Sequence, residues 1–241
     1  MEAFYMSQKF IVDPEFWEIF PDVQIAFLTA HGVDNHSYGH LKKSRLMEAN
    51  EKAEDWVPYS PISKNPIIAA WREAFRKFKT KKGARCAVEA LLKRASKGNG
   101  VGAINPVVDL YNTVSLTYAF PLAAEDMDKI VGDVHLGVAK GGEPFYPIGE
   151  ADEEPEEALP GEVIYRDDQG VISRCWAWRD SARVESTEDT QNILFYMENI
   201  QPERKEDHEK AVQMLKDSFK EYLNVDLEDH LVTRDHPEVT F

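Results

Sequence analysis

Two sets of residues have side chains whose types and spacing suit chemistry. The first is Trp178, Arg179 and Asp180, just ahead of a polar stretch and of an apolar run from Asn192 that ends on the carboxylate of Glu198. Trp176, two residues before Trp178, adds a second indole. Such a set can wall in an aromatic ring, an adenine or an amino-acid side chain, and a guanidinium such as Arg179 suits a phosphate or carboxylate. The plain alternative is a pair of core tryptophans beside a salt-bridged turn. The second set is Asn105, Asp109 and Asn112. Their i, i+4, i+7 spacing puts them on one helix face. Asn and Asp are poor residues for a helix interior, so this face is read as docked against something rather than as solvated surface.

Other chemistries find little support. His36 and His40 are four apart, with His31 and Asp34 close by. Imidazoles at that spacing can converge on a metal, but the pattern fixes no third ligand, and they are read as surface histidines. No metal and no cofactor is expected. Phosphate-loop, dinucleotide, zinc-peptidase and nucleophile-elbow motifs are missing. Cys86 and Cys175 are the only cysteines and belong to no CxxC pair, so reduced thiols in a cytoplasmic protein are the expectation. No segment approaches the roughly 18 apolar residues of a membrane helix, and the N-terminal residues do not read as a secretory signal. No membrane partner is expected.

A hydrophobic fraction of 43%, with 11% aromatic residues, is enough to build a core in a chain of 241 residues. The net charge of -15 argues against nonspecific binding of nucleic acid by the whole surface. The charge is uneven. Between Trp71 and Gly100, ten basic residues face only two acids, giving +8 and leaving -23 on the rest of the chain. A local basic face on an acidic body follows, and Arg72, Arg76, Lys79, Lys81, Lys82 and Arg85 are its candidate contacts to a polyanion. The plain reading is a solvated pair of helices.

The elements that would position these residues are legible in outline. Val23–Ala30 is an early strand. Asn65 and Pro66 open a helix whose Ile67, Ile68, Trp71, Phe75 and Phe78 recur at helical spacing. Ala87–Ala95 is a second short helix, burying Val88, Leu91 and Leu92. Asn105 and Pro106 repeat the cap and start, with Val107, Leu110, Tyr111 and Val114 as the buried stripe. From about residue 118 the period becomes two. Val134–Ala139 is a strand, residues 149–161 are an exposed acidic loop, and Glu162–Trp178 is a hairpin turning at Asp167–Gly170. Alternation along its second arm puts Ile172, Arg174, Trp176 and Trp178 on one face. The following strand brings Asn192, Leu194, Tyr196 and Glu198 together. Residues 206–223 are a clear amphipathic helix; the tail after them is ambiguous. The fold class expected is mixed α and β. It is one domain over residues 1–241, a largely antiparallel or mixed β core flanked by helices, with a helical, basic N-terminal part over 65–97.

The segment from Ile104 to Glu143, followed by "GEVIYRDDQG", the Trp-Ala-Trp-Arg run and "EDTQNILFYMEN", resembles the B3/B4 domain of the phenylalanyl-tRNA synthetase beta chain, and in particular its free-standing members. The likeness is best over residues 100–200. It implies that fold, and a site that edits tRNA by hydrolysing tyrosine wrongly attached to tRNA(Phe), since one pocket cannot reject every near-isostere. It implies no aminoacylating activity by this chain alone. Carried over by position, Glu198 matches the family's pocket glutamate, offset by two residues, an even shift that keeps the strand face. Thr190 and Asn192 match the preceding threonine and asparagine. Two positions depart. Ala123 stands where the family has a histidine, and Trp178 and Arg179 stand in place of a glycine-rich loop. Tyrosine specificity is therefore not carried over.

The resemblance leads to an aminoacyl-tRNA deacylase acting in trans, with Glu198 as the catalytic carboxylate and Asn105, Asp109, Asn112, Trp178, Arg179, Thr190 and Asn192 as substrate-binding residues. Its partner would be the aminoacylated 3′ end of a tRNA, not DNA. The rivals are a binding module without catalysis and an enzyme acting on a free small molecule. Neither the amino acid, the tRNA nor the oligomeric state follows from the sequence.

Overall fold

The computed structural model describes residues 7–37, 44–98, 100–149 and 154–241. Two β-sheets pack on one another. The first has six strands in the order β12-β1-β4-β7-β8-β9: Glu238–Thr240, Lys9–Val12, Val134–Val138, Val163–Asp167, Gly170–Arg174 and Arg179–Asp180. Among the described residues only β1 and β4 run parallel. The second is antiparallel, in the order β11-β2-β10-β3: Glu228–Val232, Gln24–Ala30, Ile193–Asn199 and Leu122–Asp126. A small ribbon pairs β5 (Pro144–Phe145) with β6 (Glu156–Glu157).

The helices are α1 (Pro14–Ile19), α2 (Ser44–Ala53), α3 (Pro66–Ala74), α4 (Ala87–Ala95), α5 (Pro106–Tyr118) and α6 (Lys205–Leu223). The inner strands of the second sheet, β2 and β10, are buried on both faces, and their alternation sorts side chains between two cores. Ala26, Leu28, Ile193, Phe195 and Met197 meet α5 and α6. Ile25, Phe27, Leu194 and Tyr196 face the first sheet and the helices before α5. Aromatic rings join the two sheets. Phe10 of β1 stacks on Phe27 of β2 at 5.1 Å, and Tyr165 of β7 stacks on Tyr196 of β10 at 4.3 Å. Offset and tilted ring pairs of this kind stabilise the contact beyond the area they bury.

Several expectations are corrected. The helix opened by Asn65 and Pro66 stops at Ala74 rather than running on past Phe78. Phe75 and Phe78 remain apolar partners, 5.3 Å apart, in the turn that follows. The acidic loop is not simply solvated. Glu156 lies in β6 and pairs with Lys81 and Arg174, and the buried Glu162 grips the Arg174 guanidinium at 3.0 and 3.1 Å. A buried arginine needs such partners to offset its lost hydration. The tail forms β11 and β12, which extend the second and the first sheet respectively.

The hairpin expectation holds at its first turn, where Asp167 faces Gly170, and fails at its end. β8 stops at Arg174, which pairs with Arg179 of β9, so residues 175–178 form a second turn. Cys175 and Trp176 lie in the left-handed region, with φ of 48° and 64°. Two such residues in succession end the strand alternation, so Trp176 and Trp178 do not share an extended face.

Candidate functional site

The site lies where the edge of one sheet meets the end of the other. β10 carries Tyr196 and Glu198 on the face toward the first sheet, and register places Ala123 of β3 beside Tyr196. From the first sheet come Tyr165 on β7 and Asp180 on β9. The 175–178 turn closes the top, tied to α4 by a hydrogen bond from the Ala87 amide to the Ala177 carbonyl at 2.7 Å. These elements enclose a cavity of about 30 Å³, room for a water molecule or two. Glu198, Asp180, Tyr165 and Tyr196 supply its polar walls, and Trp176, Trp178, Leu122 and Ala123 its apolar ones.

Glu198 is buried, and the Tyr165 hydroxyl donates to it at 2.6 Å. Burial pushes its carboxyl up to about 7, against the pull of the Tyr165 hydroxyl toward the ionised form. A carboxyl that titrates near neutrality can exchange a proton with a substrate or water at working pH. Asp180, only half-buried in surface but hemmed in by protein, is raised by desolvation, while the neighbouring Ser173 hydroxyl acts the other way. The Trp176 indole is fully buried. It packs against Phe16, Phe20 and Trp71 with ring centres 5.1, 4.7 and 5.1 Å away. Its N–H lies near Glu198, where it favours the ionised carboxyl, but meets no acceptor in hydrogen-bond geometry. Trp178 is half-buried at the rim, and the Arg179 guanidinium lies 5.6 Å from its ring centre.

Of the residues singled out in sequence, Glu198, Trp178 and the Arg179 turn are brought together here. The polar face of α5 is not. Asn105 caps α5, its side-chain oxygen accepting the Val108 N–H at 2.9 Å, and Asp109 accepts the Ile104 N–H at 2.8 Å. Both satisfy amides at a helix start; Asn112, also buried, follows on the same helix. Thr190 donates to Asp126 at 2.8 Å, and Asn192 donates to Asp128 at 3.0 and 3.1 Å and contacts His31 at 3.2 Å. Neither lines the cavity. His40 falls outside the described residues. Among the described residues no three groups converge as a metal site.

The basic segment folds into α3, α4 and the turns after each. Part of its charge is already engaged. Arg72 holds the buried Glu89 at 2.6 and 3.0 Å, Arg76 holds Glu73 at 2.7 Å, and Lys81 holds Glu156. Lys79, Lys82 and Arg85 are exposed, without an ion-pair partner among the described residues. A depression of about 340 Å³, with Trp71 and Phe75 on its floor and Arg72, Arg76 and Arg85 on its rim, opens between α3 and α4.

Alternation already set Tyr196 on the strand face of Glu198, but sequence reasoning missed two members of this neighbourhood. Tyr165 read as an ordinary strand residue, and Glu125 as one acid in an acidic stretch. Nothing local marks Tyr165, which arrives from the other sheet.

The family model described as "B3/4 domain" matches residues 70–223. Over 96 residues, 40% of this chain, the sequence is 30% identical to the phenylalanine--tRNA ligase beta subunit of Corynebacterium jeikeium (strain K411), of which it spans 11%. The fold is similar to a crystal structure of an N-terminal fragment of the phenylalanyl-tRNA synthetase beta-subunit from Pyrococcus horikoshii. The TM-score is 0.52 and the identity 13%, covering 96% of this chain and 53% of the fragment.

Proposed function

The chain belongs to the B3/4 domain family, and from that premise we propose that it is an editing-like domain acting in trans, which takes the aminoacylated end of a tRNA and hydrolyses a mischarged ester. One observation carries the reading: a buried glutamate, Glu198, poised near neutrality by burial and a tyrosine hydroxyl at a small, partly open cavity. An aminoacyl ester is already reactive, so placing water against the carbonyl is most of the task. Ionised Glu198 accepts a proton as a water oxygen bonds to the ester carbon. The tetrahedral intermediate then expels the ribose oxygen, and the proton held by Glu198 goes to that leaving group. A free amino acid and an uncharged tRNA end result.

The same cavity limits the acyl group. A space of about 30 Å³ does not admit a tyrosine ring, so the acyl side chain accepted in this conformation is a small one. Exposed Lys79, Lys82 and Arg85 supply the contact to tRNA phosphates in this reading.

A second reading, a binding module without hydrolysis, is favoured by one residue. Ala123 lines the cavity where the resemblance implies a histidine, so a polar group that would steer water or ester is lacking at that position.

The test is ester loss from a panel of correctly charged and mischarged tRNAs, followed beside Glu198→Gln. Hydrolysis of a mischarged pair bearing a small amino acid, slowed by at least about a hundredfold in the variant, is the expected result, in the range for loss of a general base. Intact esters throughout, with tRNA bound, would establish the binding module instead.

A further inference from the structure

The cavity at Glu198 carries more carboxyl than a single general base requires. Asp180 lines it as well. On the same sheet face, register pairs Glu125 of β3 with Leu194, diagonal to Tyr196. Glu125 is completely buried, and neither of its carboxyl oxygens has a hydrogen-bond partner. The Tyr196 hydroxyl, which lines the cavity and is 1% exposed, is likewise without a partner. Unsatisfied buried groups are rare and costly, and each calls for a physical reason.

The nearby cations do not resolve the excess. Arg183 lies near Glu125, but its two terminal nitrogens are engaged by Asp167 at 2.7 and 3.0 Å. Lys129 donates to the Glu185 carbonyl at 2.8 Å and pairs with Asp126 at 3.2 Å. Glu185 itself bridges to Glu125 through the backbone and adds further negative charge. Burial raises Glu125, Asp180 and Glu198 alike, and Asp180 pushes each of the other two further. Desolvated acids that raise one another in this way favour whatever brings in positive charge. The space among them is too small for a guanidinium with its stem but fits a compact head. Among the described residues these acids do not form a three-ligand metal site.

We infer that the cavity is a receptor for a primary ammonium group, held between Asp180 and Glu198 with the Tyr196 hydroxyl as a third acceptor and Glu125 behind it as the balancing carboxyl. The ammonium donates three hydrogen bonds, one to each of the three groups named. The Tyr165 hydroxyl occupies one Glu198 oxygen and leaves the other outside that bond. This deepens the reading above, since it takes the cavity to be the acyl site. Two sources of the ammonium share this chemistry: the α-ammonium of an aminoacyl ester, or the side-chain ammonium of a short diamino acid.

Calorimetric titration of the full chain, without tRNA, separates them. The probes are glycinamide, with only an α-ammonium; Nα-acetylornithinamide, with only a side-chain ammonium; and N-acetylglycinamide, with neither. The expected result is that one ammonium probe binds at least about tenfold tighter than N-acetylglycinamide, roughly 1.4 kcal/mol, and that Asp180→Asn and Glu125→Gln each reduce the preference. The tighter probe names the source. Equal binding of all three, no binding of either ammonium compound, or a preference that survives both substitutions would overturn the inference. The probe comparison needs only the unaltered protein, so a variant that fails to fold leaves it decisive. Because no ester is present, ammonium selectivity can hold where hydrolysis fails, and the two ideas fail separately.

Discussion

Glu198 couples the site to stability through its proton. Its carboxyl is raised from 4.5 to about 7 in the folded protein, chiefly by burial. The folded state therefore holds this proton more tightly than the unfolded chain does. The contribution to stability is fully present below about 4.5 and is lost as pH rises through about 7. At pH 8 the protein carries a buried charge that it would hold more comfortably as a neutral group. Glu198→Gln keeps an acceptor for the Tyr165 hydroxyl and removes the charge. The variant is expected to be more stable than the parent at pH 8, by up to roughly 3 kcal/mol for a shift of this size, and equal to it near pH 4. Denaturant melts across that range check it. A variant no more stable at pH 8 would mean that Glu198 is ionised at little cost, and that its role as a tuned base lacks its physical foundation. A site that gives up stability for a poised acid is the usual trade between activity and stability.

At the scale of elements, the 175–178 turn decides what each tryptophan does. Two consecutive left-handed residues, neither of them glycine, cost about 1–3 kcal/mol each and are held by the Trp176 amide bond to the Val163 carbonyl at 2.6 Å and by the Ser173 hydroxyl, which donates to the Trp176 carbonyl at 2.8 Å. The turn throws Trp176 into the aromatic core and leaves Trp178 at the rim. Trp176→Ala should therefore cost about 3–5 kcal/mol, as for a fully buried large ring. Trp178→Ala should cost nearer 1 kcal/mol while enlarging the cavity and relaxing the size limit on the acyl group. Thermal melts beside the charged-tRNA panel report both. Similar losses at the two positions would place both rings in the core.

The same turn shows why the sequence was legible only in part. Strict alternation is a sound guide while the backbone stays extended, and it correctly set Leu194, Tyr196 and Glu198 on one face of β10. It carries no warning of αL residues lacking glycine, so it misplaced Trp176 and Trp178. The Asn-Pro start of α5 was readable because capping is local chemistry; that Asn105 and Asp109 serve the helix start rather than a pocket was the plainer inference from the same residues. β1, β11 and β12 went unread, since each is short and owes its strand state to partners far along the chain. Tyr165 and Glu125 reach the site through sheet packing and register, which no spacing within the sequence encodes.

Over the whole molecule, an acidic body carries one basic segment, and the structure sorts which of its charges can reach a partner. Arg72 is the wrong residue with which to probe tRNA binding. Its guanidinium covers Glu89, whose side chain is 2% exposed, and removing it leaves a buried carboxylate without its partner, a change that destabilises by several kcal/mol in fully buried pairs and by less here, where Arg72 itself is partly exposed. Arg76 and Lys81 are similarly engaged with Glu73 and Glu156. Lys79, Lys82 and Arg85 are exposed and serve no internal pair among the described residues, so their charge is available to phosphates at little structural cost. If they contact the tRNA backbone, each neutralised phosphate releases counterions, and the logarithm of the binding constant falls with the logarithm of salt by about 0.7–0.9 per contact. A triple substitution, Lys79→Ala, Lys82→Ala and Arg85→Ala, should leave the melting temperature nearly unchanged and flatten that slope by roughly two to three. Fluorescence titrations of an uncharged tRNA over a salt series measure it. An unchanged slope would take these three residues out of the tRNA contact, against a remainder of the chain that carries -23.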